Sequence, residues 1–206
     1  MVRYNRFSRG GVGVFVLWLE LVLLFVGLPL LVYFERLRVP KIPALAAITL
    51  FCLLVLLRDP AFPNRKLWNG GALNAFWRGI LLRSAGVFVI ALALRLAFGA
   101  NELFYFPRRH TEIWIVVMIL YPILSAYPQE LVYRSFLFHR YRRILPGEKL
   151  RWLVSSASFA FLHIIFDNPL AVVLTLAGGF LFCHTYSRTR SLLAVSIEHA
   201  IYGNII

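Results

Sequence analysis

The chain has 206 residues, of which 60% are hydrophobic, with a mean hydropathy of +0.75 and a formal net charge of +13. That composition excludes an ordinary soluble domain, and no polar stretch is long enough to build one, so the chain is expected to be an integral membrane protein. The Lys and Arg residues sit between apolar runs, where topology and anionic headgroups account for them, and no basic aromatic groove is present, so no nucleic-acid partner is expected.

Arg3, Arg6 and Arg9 precede an apolar run too long for a signal peptide and without a small-residue cleavage site, which predicts a retained first span. Apolar runs follow one another at about 11–34, 42–57, 79–99, 112–127, 151–166, 169–187 and 191–206, most of them close to the ~20 residues a bilayer requires. The expected fold is an all-α polytopic membrane helix bundle of about seven spans. The range is six to eight, because 42–57 is short enough to be tilted or re-entrant and the last run stops at Ile206. Neither a repeat nor a linker divides the chain, so residues 1–206 read as one domain with a motif-bearing core at about 112–206. Cys52 and Cys183 both fall inside apolar runs and form neither a disulfide framework nor a metal knuckle.

With Arg83, Arg95 and Arg134 set aside as lying within helices, an internal amino terminus puts 14 basic residues on its side and 5 on the other. That bias predicts a cytoplasmic amino terminus, with Arg140, Arg142, Arg143, Lys149 and Arg151 as the strongest anchor, in a bacterial plasma membrane. Residues 58–71 carry prolines, glycines and Trp68, and are expected to form a cytoplasmic surface loop running into a short interfacial helix at Trp77 and Arg78. Pro122 and Pro128 disfavour a straight fourth helix, and a kink near Pro128 would open backbone where Gln129 and Glu130 emerge.

Polar groups interrupt three of the later runs. A charge at bilayer depth costs at least ~2.5 kcal/mol, so Glu130 and Arg134, at i and i+4, are expected to pair on an interior face. Phe159 and His163 share a helical face by the same spacing, and Glu198, His199, Tyr202 and Asn204 bring further polar groups to the last run. A carboxylate and an imidazole in one dry pocket can hold and deprotonate water, while His199 and Asn204 can donate to an oxyanion. A Gly-x-Ser-x-Gly elbow is absent, which favours water as nucleophile. The set His163, His199 and Glu130 is also a possible ligand group for a divalent metal such as zinc, although the HExxH spacing is absent. An ion-coupled transporter is a further alternative, since ionisable residues within spans also mark ion pathways.

These stretches resemble, in order, the EExxxR, FxxxH and HxxxN motifs of the CPBP family of intramembrane proteases, the CAAX prenyl protease and bacteriocin-processing group also called Abi. The resemblance covers about 112–206. It implies an all-helical membrane fold, endopeptidase activity on membrane peptides or proteins, water activated by Glu130 and His163, and an oxyanion supported by His199 and Asn204. Two departures stand out. Gln129 occupies the position of the family's first glutamate, which leaves Glu130, or Glu198, to supply a carboxylate, or else an inactive pseudoprotease. Asn204 follows His199 by five residues instead of four, about 140° away on an ideal helix, so a bulge at Gly203, or the hydroxyl of Tyr202, would have to compensate.

Overall fold

The computed structural model describes residues 13–34, 39–99 and 104–205. Arg3, Arg6, Arg9, Arg36 and Arg38, which contribute to the charge bias, lie outside the described residues. The helices are α1 (Val14–Tyr33), α2 (Lys41–Arg58), α3 (Gly70–Gly99), α4 (Tyr105–Arg109), α5 (Thr111–Arg140), α6 (Glu148–Leu162), α7 (Pro169–Thr189) and α8 (Leu192–Ile205), with no strand among the described residues. Among the described residues, six helical segments are long and apolar enough to cross a membrane: α1, α2, Asn64–Ala97, α5, Glu148–Phe166 and α7.

Six such segments fall within the expected range of six to eight, and the last apolar run forms α8. Helix α8 comprises 14 described residues. It packs against α3, α5 and α7, and Glu198, His199 and Tyr202 are among its buried residues. The run at 42–57 is an 18-residue helix, long enough to cross, in place of a re-entrant element. Trp77 and Arg78 belong to the first third of the 30-residue α3 and form no separate interfacial helix. The connection before α3 is pinned in place, because Phe62 and Leu67 are buried in the core.

Helix α5 continues through its prolines. Each proline removes a backbone donor, and the strain is taken up by π-helical turns at Pro122–Ala126 and Leu131–Phe136 flanking the α-helical Tyr127–Glu130. Its second half forms the centre of the bundle: residues 130–139 are all buried, whereas Ile119 and Ile123 in the first half are 62% and 65% exposed, as suits a lipid-facing surface. Helices α6 and α7 approach closely at Gly179, where an added Cβ would lie 3.0 Å from Cα and Cβ of Ser156.

The connections alternate as membrane topology requires. At one end Asp59, before α3, meets His139 and Arg142; Asn69 donates to the Thr189 carbonyl; and Arg190 pairs with Glu148. At the other end Lys41, before α2, lies 4.3 Å from the ring centroid of Phe166, which precedes α7.

Candidate active site

The interior face of α5 carries the expected ion pair. Glu130 and Arg134 are both fully buried, with Arg134 Nε 3.1 Å from Glu130 Oε2. Arg134 Nη2 donates to the Gly179 carbonyl at 3.2 Å, and its guanidinium lies 4.8 Å and 5.3 Å from the ring centroids of Phe159 and Phe182. Two aromatic faces thus take the place of water around a buried cation.

The other carboxylate oxygen reaches a third helix. Glu130 Oε1 lies 2.8 Å from His199 Nδ1, so that nitrogen carries the proton and donates. The His199 ring stacks on Phe182 at 4.6 Å and meets Phe159 edge-on at 5.4 Å and Tyr121 at 6.0 Å. His163 sits at the end of α6, half-buried, and donates from Nδ1 to the Phe159 carbonyl at 2.8 Å, with its ring 4.8 Å from that of Phe159. This bond fixes the tautomer and leaves the Nε2 lone pair unengaged. Phe159 therefore forms the wall on which Arg134, His163 and His199 meet.

Other residues singled out by sequence lie elsewhere. Gln129 donates to Ser125 Oγ at 2.7 Å, and its Oε1 has no partner. Glu198 is fully buried and faces α3: Oε1 accepts from Arg83 Nε at 2.7 Å and from the Tyr202 hydroxyl at 2.7 Å, while Arg83 Nη2 donates to Thr185 Oγ1. Glu198 Oε1 and the Tyr202 hydroxyl are thus turned toward Arg83, while Glu198 Oε2 has no hydrogen-bond partner. Helix α8 runs regularly through Gly203, so the spacing is not corrected by a bulge, and Asn204 Nδ2 donates to the Met118 carbonyl at 3.4 Å. Sequence reasoning missed Phe182, Gly179 and Tyr121, which give no signal inside apolar runs. It also passed over Arg83, whose isolated charge in the third run was a usable signal.

Among the described residues no group of three or more His, Cys, Asp and Glu side chains is arranged to hold a metal. Glu130 Oε1 is hydrogen-bonded to His199, and Oε2 lies 3.1 Å from Arg134 Nε. Away from the membrane-spanning segments, Asp59 Oδ2 lies 2.7 Å from His139 Nε2 and 3.5 Å from Arg142 Nη2. Burial pushes the Asp59 carboxyl up, but the Ala61 amide, His139 and Arg142 outweigh it and hold it below the usual range.

Residues 111–205 match the family model described as Type II CAAX prenyl endopeptidase Rce1-like, in agreement with the resemblance carried by the three motifs. The matched segment contains Glu130, Arg134, Phe159, His163 and His199, while α1–α3, and with them Arg83, lie outside it. No curated protein and no solved structure matches the chain.

Proposed function

We propose, from the match of residues 111–205 to the Type II CAAX prenyl endopeptidase Rce1-like family model, that this multi-pass membrane protein hydrolyses a peptide bond in a membrane-associated peptide or protein. The observation that carries this reading is the meeting of His163, His199 and the Glu130–Arg134 pair around Phe159. His163, the more exposed histidine, takes a proton from water at Nε2. The water oxygen adds to the carbonyl carbon as the carbonyl π pair moves onto its oxygen. In this scheme His199 acts as an imidazolium, its Nδ1–H held by Glu130 and its Nε2–H donating to that oxyanion. On collapse the C–N bond breaks, and the proton held on His163 goes to the leaving amine.

In this scheme Glu130 is a positioning residue: its Oε1 is held by His199 Nδ1, while Oε2, which has no hydrogen-bond partner, lies 3.1 Å from Arg134 Nε. The bilayer delivers the substrate, and we place the chain in a bacterial plasma membrane with its amino terminus in the cytoplasm. A second reading, a pseudoprotease that binds such peptides without cutting them, is favoured by one observation: Gln129 puts an amide where the family carries its first glutamate.

Proteoliposomes supplied with a farnesylated CaaX peptide and an unmodified hydrophobic peptide, followed by mass spectrometry, separate the two. Cleavage by the wild type that falls roughly 10²- to 10⁴-fold in His163→Ala supports the endopeptidase. Binding without cleavage, with cleavage gained in Gln129→Glu, supports the pseudoprotease. Cleavage indifferent to His163→Ala sinks the proposed base.

A further inference from the structure

The amide expected to support the oxyanion is directed elsewhere, since Asn204 donates to the Met118 carbonyl and sits five residues past His199. On a regular helix the residue sharing a face with His199 is the fourth one on, Gly203, which has no side chain. The space is not empty. A Cβ built on Gly203 would overlap the hydroxyl and ring carbons of Tyr121, so the phenol of α5 occupies the place from which a side chain at that position would project. The same ring meets His199 edge-on at 6.0 Å. The Tyr121 side chain is half-buried, and its hydroxyl oxygen lies along the face of α8 that carries His199.

We propose that Tyr121 is a catalytic residue, its hydroxyl donating beside His199 to the oxyanion that forms on the substrate carbonyl. The inference rests on the endopeptidase reading for its role in turnover. The proton stays on the phenol throughout: the bond is donated as charge develops and withdrawn when the carbonyl re-forms. Gly203 is then needed because any side chain there would displace the phenol.

The experiment uses the full chain in detergent and a farnesylated tetrapeptide in which a phosphinate replaces the scissile amide, a stable mimic of the tetrahedral oxyanion. Tyr121→Phe removes only the hydroxyl and is expected to weaken binding of the mimic roughly 10- to 100-fold without changing thermal unfolding. Tyr121→Ala is expected to lose binding, and adding Gly203→Asn, whose amide would enter the vacated space, to recover part of it, which a purely structural role would not produce. Equal affinity of wild type and Tyr121→Phe overturns the assignment, as does a wild type that does not bind the mimic at all. Cleavage is read separately: a wild type that binds the mimic tightly through Tyr121 but cuts nothing sinks the endopeptidase reading and leaves the oxyanion donor standing.

Discussion

His199 Nδ1 and Glu130 Oε1, 2.8 Å apart, join the third motif to the first across the helix interface, while Arg134 takes the other carboxylate oxygen. The carboxylate is thereby shared between a cation on its own helix and an imidazole on α8. A carboxylate so placed orients the imidazole that donates to it.

Removing one member should leave another buried and unpaired. Arg134→Leu deletes the contact with Glu130, the bond to the Gly179 carbonyl and the contacts with Phe159 and Phe182. The expected cost is about 3–5 kcal/mol, read as a lower thermal midpoint in detergent. An unchanged midpoint would count against the pair as a structural element.

The approach of α6 and α7 should be sensitive to a single methyl. Gly179→Ala places its Cβ 3.0 Å from backbone and side-chain atoms of Ser156, which must move apart. The expected loss is about 1–3 kcal/mol in thermal or denaturant unfolding, whereas Gly13→Ala, with nothing within 4 Å, should leave stability unchanged.

The Asp59 cluster makes a prediction about pH. The Asp59 carboxyl is held lower in the folded chain than when unfolded, so its contribution is complete above the unfolded value of about 4 and is lost as pH falls through the lowered folded value. His139 and Arg142 are the groups that face it. Thermal midpoints of the wild type should decline over that acidic window more steeply than those of Asp59→Asn. Parallel profiles would remove Asp59 as the cause.

Orientation is testable at the α5–α6 connection. The α2–α3, α5–α6 and α7–α8 connections cluster at one end, and the charge bias predicts that this end lies in the cytoplasm. Gly147 has a φ of +81° and would be strained by a side chain, so the exposed Lys149 is the better position for a reporter. Lys149→Cys should resist an impermeant thiol reagent in intact cells and react after lysis. Labelling without lysis would reverse the topology.

The sequence by itself determined the membrane class, the helical fold and the residues that bear charge inside it, because burying a charge or an unpaired backbone group in lipid is costly enough to leave a mark on composition and spacing. The i, i+4 relation of Glu130 and Arg134 was legible for the same reason: it is a property of one helix. Which of those groups meet across helices was decided by tertiary packing. Nothing local distinguishes His199, which reaches Glu130, from Glu198 one residue earlier, which turns to Arg83 on α3; a single residue rotates the side chain by about 100° and so selects a different neighbouring helix. Hydropathy left the span count at six to eight because it measures burial in apolar surroundings and does not say whether those surroundings are lipid or other helices. Tyr121 was invisible in sequence because its position beside His199 depends on an absent side chain at Gly203, 82 residues along the chain, and only the folded bundle brings that gap and that ring together.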